Sequence, residues 1–183
     1  SVRENGNLKV ILYIVLVVVG IAGAVSLGTA GGSSKPASNS GVTVPGGVAA
    51  AEFQKVTVDG DALPQLPESG EDPAVGKAAP TISGYDLAGR PSKIDPGSDG
   101  KATMVVFLAH WCPHCQREVP RLVDWAAAGE VPDNLNVMAV STAVDESRGN
   151  YPPSEWLADE GWKYPIMADD AVGTAASSFG LSS

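Results

Sequence analysis

KATMVVFLAHWCPHCQREVP, residues 101–120, holds both cysteines and both histidines of a 183-residue chain. Residues 103–109, TMVVFLA, are an unbroken apolar run, the pattern of a strand buried on both faces. From Pro113 to Ala128 the pattern changes. Cys115, Val119, Leu122, Val123 and Ala126 recur at i, i+4, i+7, i+8 and i+11, which is one face of a helix. The stretch therefore predicts a strand feeding a helix, with Cys112 at the helix start and Cys115 one turn inside. Residues three apart on a helix are neighbours, with Cα atoms about 5 Å apart, a span that a disulfide bridges.

The flanks extend this pattern. Upstream, residues 81–94 predict a hairpin turning at Ala88-Gly89-Arg90, residues 52–59 (EFQKVTVD) a short strand, and the proline-spaced residues 63–73 an extended surface segment. Downstream, residues 136–141 (NVMAVS) predict a second buried strand, residues 154–160 a short helix with Ser154 as N-cap, residues 164–167 a short strand and residues 173–179 another helix. Strands alternating with helices imply an α/β fold with a mainly parallel sheet and crossover helices.

The N-terminal part has a different composition. Residues 10–27, VILYIVLVVVGIAGAVSL, carry no charge and are long enough to cross a bilayer as a helix. Arg3 and Lys9 precede the run and only Lys35 follows soon after, so the positive-inside bias makes residues 1–9 cytoplasmic and exports the rest. A cleaved signal peptide is the rival reading, but the apolar core exceeds the usual ~7–15 residues, which favours a retained single-pass anchor. Residues 28–51 are rich in Gly, Ser, Ala and Pro and read as a flexible tether. Residues 52–183 form the domain. Residues 1–50 carry a net +2, whereas residues 51–183 hold nine basic and twenty acidic residues, a net −11. A domain so acidic is excluded as a phosphate-backbone binder, so no nucleic-acid partner is expected.

The spacing Cys-x-x-Cys at a helix start carries chemistry. Unpaired N–H groups there favour an anion, so Cys112 is the expected thiolate and Cys115, on the apolar stripe, the inward thiol. Pro113 suits the first turn, where its missing N–H costs nothing. A protonated His114 would add positive charge beside Cys112; the alternative is a plain exposed side chain. Trp111 either shields the pair or is ordinary packing, and His110 either takes part or simply ends the strand. Two other readings of the pair remain. A structural disulfide closing so short a loop would stabilise little. A copper-type metal site from His110, Cys112, His114 and Cys115 would crowd four ligands into six residues, and no metal is expected. A peroxidase-like chemistry would need an activating Thr/Arg environment, which the residues around Cys112 do not suggest.

Residues 75–94, VGKAAPTISGYDLAGRPSKI, together with residues 101–120, resemble the TlpA/ResA-like branch of the thioredoxin superfamily. The likeness runs from about Val75 to the end. It rests on Ala79-Pro80, the hairpin glycine Gly89, the apolar strand into Trp111-Cys112, and Cys-x-x-Cys-x-x-Glu-x-Pro filled by Cys112, Cys115, Glu118 and Pro120. The resemblance implies a thioredoxin-like fold, a central mixed sheet with flanking helices, in a membrane-tethered thiol–disulfide oxidoreductase facing the exterior. It implies that Cys112 attacks and Cys115 resolves, with no cofactor beyond the pair. The expected partners are exported cysteine-containing proteins and a membrane electron donor or acceptor. Pro120 would bend the helix, and Glu118 is either a structural or proton-handling acid or a surface glutamate. Two departures matter. Pro113-His114 between the cysteines is more typical of oxidants than of reductases, which leaves the direction of electron flow open. The cis-proline loop expected after residues 179–180, with the strands and helix beyond it, has no counterpart before Ser183. The resemblance thus implies a piece cut at both ends, with an uncovered edge on strand 103–109.

Overall fold

The computed structural model describes residues 45–181. The expected cytoplasmic N-terminus, the apolar run and most of the tether lie outside the described residues. Among the described residues no helix is long and apolar enough to cross a membrane.

The first three strands are β1 (Thr57–Asp59), β2 (Thr81–Tyr85) and β3 (Pro91–Ile94), joined as an antiparallel sheet in that order. The β2–β3 hairpin turns where the sequence reading put it. Asp86 shapes the turn: its carboxylate accepts the N–H groups of Ala88 at 2.9 Å and Arg90 at 2.8 Å. Gly89 has φ +80, and a Cβ there would stand 2.0 Å from the Val48 carbonyl oxygen. Only glycine allows both that backbone conformation and that approach. Val48 and Ala51, at the end of the stretch read as tether, donate to the carbonyls of Gly89 and Leu87 at 2.8 and 3.1 Å.

The second half is β4 (Ala102–Leu108), α1 (Pro113–Ala127), β5 (Leu135–Ser141), α2 (Pro153–Asp159), β6 (Ile166–Ala168) and α3 (Thr174–Ser178). Strands β4, β5 and β6 form a parallel sheet in that order, with Ala102 opposite Leu135, Leu108 opposite Ser141 and Ser141 opposite Ala168. The strand–helix alternation is therefore as expected. The expected single mixed sheet is instead two three-stranded sheets, one antiparallel and one parallel. They meet through side chains: Val56, Ile82 and Ile94 from the antiparallel part share a core with Val140, Met167 and Ala175. A second core covers the other layer, where Val119 of α1 and Trp156 and Leu157 of α2 bury Leu108 and Ala139. β4 is an outermost strand and is half-buried over most of its length, with only Leu108 enclosed. Both faces are covered as expected, with Val105 and Phe107 packed on the first core and Val106 and Leu108 on the second, and the remaining exposure comes from the unpaired edge.

Two further expectations need correction. The strand read at residues 52–59 shrinks to Thr57–Asp59, because its first residues bond elsewhere. The Gln54 N–H donates to the Asp169 carbonyl at 3.1 Å, and the Glu52 carboxylate takes the Ser154 N–H, also at 3.1 Å, together with the Ser154 hydroxyl. Ser154 is consequently not the N-cap of α2. The helix begins at Pro153, and Glu52, 102 residues away, satisfies its first turn.

Candidate active site

β4 ends at Leu108, and the chain turns sharply into α1. The Cys112 N–H donates back to the Ala109 carbonyl at 2.9 Å, and the Cys112 carbonyl accepts the first helical bond, from the Gln116 N–H at 3.0 Å. Cys112 thus occupies the N-cap position, with extended backbone and no side-chain cap, and Pro113 opens the helix. The orphan N–H groups of this first turn are therefore free to face a sulfur. They do so: the Cys115 N–H hydrogen bond is the largest influence holding the Cys112 thiol below its ordinary pKa. Partial burial works against it, and the His114 N–H, the Cys115 thiol and the Arg117 charge add to the lowering. Cys115 shifts the other way. Burial pushes its thiol up, because it packs against the core of Leu108, Val119 and Trp156. Its Sγ lies 4.0 Å from the Phe107 carbonyl oxygen. Both cysteines are free thiols.

The supporting residues separate into distinct roles. Pro120 lies inside α1, where its ring leaves the Gln116 carbonyl without a helical donor. Glu118 is exposed and pairs with exposed Arg121 at 3.6 Å. Trp111 does not simply cover the pair. Its indole N–H donates to the Ala143 carbonyl at 2.6 Å, and the Arg148 guanidinium lies 4.1 Å above its ring. His110 is completely buried. Its Nδ1–H donates to the Gly149 carbonyl at 2.8 Å, and its Nε2 accepts the Asp145 N–H at 3.1 Å. A carbonyl needs a donor and an N–H needs a lone pair, so this pair of bonds defines one neutral tautomer. Gln116 and Asn150 side chains both donate to the His110 carbonyl, at 3.0 and 3.2 Å. With both ring nitrogens committed to backbone, His110 is not a ligand. Among the described residues no three His, Cys, Asp or Glu side chains converge as a metal site.

The two residues before Cys112 therefore grip residues 143–150, a loop that returns from β5 to α2. Its ends carry left-handed non-glycine backbone, at Ala143 with φ 50 and Asn150 with φ 62. The Tyr151–Pro152 peptide just beyond is cis, and it stands before α2 rather than after the last helix. Sequence reasoning missed this loop, because its bonds to His110 and Trp111 span more than thirty residues of chain.

The AhpC/TSA family profile matches residues 75–183, more than half of the chain. This chain belongs to the AhpC/TSA family. Its domain has a thioredoxin-like α/β fold. Among solved structures, it is similar to the thioredoxin domain of a thiol–disulfide oxidoreductase from Bacteroides vulgatus, at 22% identity and a TM-score of 0.42, over 59% of this chain and 74% of that one. No curated protein matches it.

Within this AhpC/TSA domain, the charge beside Cys112 does not come from the residue expected to supply it. The His114 ring accepts a hydrogen bond at Nδ1 from the Arg117 guanidinium at 3.0 Å, so that nitrogen carries no proton. His114 acts on Cys112 through its backbone N–H, and Arg117 supplies the cation. Arg117 was legible as the i+3 neighbour of His114 on a helix, a spacing that brings an arginine to the cysteine end of α1. The other described arginines, Arg90, Arg121 and Arg148, each hold a carboxylate. A cation beside a thiolate favours the thiolate, so removing Arg117 raises the Cys112 pKa. The alkylation rate of reduced protein, followed against pH with iodoacetamide, should shift to higher pH in Arg117→Ala. In His114→Ala the shift should be smaller, because any residue but proline keeps the N–H.

Proposed function

We propose that this chain is a TlpA/ResA-like thiol–disulfide oxidoreductase. In this reading residues 10–27 anchor it in the cell membrane, and its Cys-Pro-His-Cys pair works on the extracytoplasmic side on exported cysteine-containing proteins. The observation that carries the redox reading is the division between two thiols on one helical turn. Backbone N–H groups at the helix start lower the Cys112 thiol pKa, and burial raises that of Cys115.

The reaction follows from that division. The Cys112 thiolate attacks one sulfur of a substrate disulfide, which forms a mixed disulfide and releases the other substrate sulfur as a thiolate. Cys115 then gives up its proton and attacks the Cys112 sulfur, closing the Cys112–Cys115 bond and releasing the second substrate thiol. Two electrons pass from the pair to the substrate. The reverse sequence oxidises a substrate dithiol, and a membrane electron donor or acceptor resets the pair. Stabilising the Cys112 thiolate stabilises the reduced form, which makes the disulfide more oxidising. The equilibrium potential against glutathione is therefore expected nearer the DsbA-like value of about −120 mV than the thioredoxin value of about −270 mV. A potential at the reducing end would assign the chain to reduction instead.

Arg117 favours a second reading. It provides the arginine half of the environment a peroxide-reducing thiolate needs. There, Cys112 would break the O–O bond to give a sulfenic acid and an alcohol or water, and Cys115 would displace water to form the disulfide. Turnover of hydrogen peroxide faster than exchange with a peptide disulfide would select it. The copper-binding alternative loses a ligand in the buried, committed His110.

A further inference from the structure

Five hydrogen bonds converge on the two residues before Cys112. The His110 ring makes two, with the Gly149 carbonyl and the Asp145 N–H. The His110 carbonyl accepts two more, from the Asn150 and Gln116 amides, and the Trp111 indole donates the fifth to the Ala143 carbonyl. Four of the five reach residues 143–150, and the Gln116 bond comes from α1 itself. The His110 ring is completely buried, so water does not readily replace either of its partners. The loop is strained where it is gripped. Ala143 and Asn150 hold left-handed backbone, at φ 50 and φ 62. A residue with a side chain persists there only where surrounding contacts hold it. Trp111 binds the carbonyl of the first and His110 the amide of the second, so clamp and strain coincide at both ends of the loop.

The other partner in this clamp is the redox turn. Cys112 is only partly buried and has no side-chain cap. Its sulfur receives the Cys115 N–H while Cys112 keeps the extended backbone of the N-cap position, φ −75 and ψ 121. That backbone closes a tight turn, from the Cys112 N–H to the Ala109 carbonyl. The residues inside the turn are His110 and Trp111, the two that the loop grips.

We infer that His110 is a positioning residue for the redox pair: by clamping residues 143–150 to the turn, it holds Cys112 in the N-cap geometry in which the sulfur faces the first N–H groups of α1. The inference rests on the proposed exchange activity and names what keeps its nucleophile in place. The imidazole carries no electron and passes no proton, because both its nitrogens are committed to backbone. Without the clamp the turn gains freedom, and the Cys112 sulfur spends less time on the Cys115 N–H. The thiolate is then less favoured, and the disulfide becomes less oxidising.

The test uses the full chain with His110→Phe, which fills the place of the ring and removes both ring bonds. His110→Asn keeps a donor for the Gly149 carbonyl, and His110→Gln keeps an acceptor for the Asp145 N–H. Trp111→Phe, at a less buried position, removes the indole bond alone. In His110→Phe the pH midpoint of iodoacetamide labelling at Cys112 should move to higher pH, and the potential against glutathione should become more reducing. Exchange with oxidised glutathione at neutral pH should slow about tenfold. The Asn and Gln variants should fall between His110→Phe and wild type, and Trp111→Phe should shift the same way by less. A purely structural histidine would lower the urea midpoint and leave the labelling midpoint and the potential of the folded chain unchanged, which would overturn the inference. Should no His110 variant fold, an unchanged labelling midpoint in Trp111→Phe would overturn it equally. Shifted labelling in a protein whose wild-type pair does not exchange with glutathione would overturn the redox reading and leave the clamp.

Discussion

Cys112→Ser should lose disulfide exchange by about a thousandfold or more, because a serine hydroxyl offers no nucleophile near neutral pH and no sulfur for the mixed disulfide. Cys115→Ser should behave differently. Its Cys112 thiolate remains, so attack on a substrate disulfide proceeds, but nothing resolves the product. The expected outcome is one covalently trapped substrate per chain, visible as an intact mass equal to protein plus substrate thiol and reversed by dithiothreitol. Turnover stops after that first event. The asymmetry comes from the helix start: the Cys115 N–H faces the Cys112 sulfur, whereas the Cys115 sulfur faces the core. Equal labelling of the two cysteines in the wild type, or trapping by the Cys112→Ser variant in place of Cys115→Ser, would reverse the assigned roles. Neither substitution should change the fold, since Cys112 is only partly buried and serine is smaller than cysteine at both positions.

Asp169→Ala should be the most damaging change outside the redox pair, at about 3 kcal/mol or more of stability. Asp169 is 1% exposed. Its carboxylate accepts the Thr142 hydroxyl at 2.8 Å and the N–H groups of Asp170, Ala175 and Ala176 at 2.9, 2.8 and 3.1 Å. Its own N–H donates to Ser141 at 2.9 Å, and its carbonyl accepts from Gln54 at 3.1 Å. One residue therefore joins the end of β5, the start of α3 and the segment before β1. Alanine leaves three N–H groups without an acceptor, each costing the desolvation of an unpaired donor. Urea unfolding should show a lower midpoint with an unchanged slope. The variant Asp169→Asn retains one acceptor oxygen and should recover part of the loss. A midpoint unchanged in Asp169→Ala would mean that the carboxylate is not what holds α3 in place.

The two effects differ in how far along the chain their causes lie. The β4–α1 unit, the hairpin at Gly89 and the roles expected of Cys112 and Cys115 are local. Apolar periodicity, a helix start and a three-residue spacing act within one or two turns of backbone, so they are written in consecutive residues. The hub at Asp169 is not, and neither is the Glu52 carboxylate that satisfies the start of α2. Nothing in the residues around Asp169 announces that role before the chain brings Thr142 and Gln54 to it.

His110 shows the same limit inside the candidate site. Its position beside the cysteines suggested either chemistry or the end of a strand. Its actual work, holding residues 143–150 through two ring nitrogens, depends on where that loop lands. His114 was expected to supply a charge, but helix geometry delivers Arg117 to its Nδ1 and makes the arginine the cation. Sequence by itself determined the α/β alternation and the pair of thiols at the opening of one helix, because those follow from short-range periodicity and backbone hydrogen-bonding at a helix end. Only the tertiary structure decided that the strands divide into two sheets and that a buried neutral imidazole clamps the loop beside the thiols. Those features arise from contacts between segments far apart in the chain, whose partners are set by packing and not by neighbours in sequence.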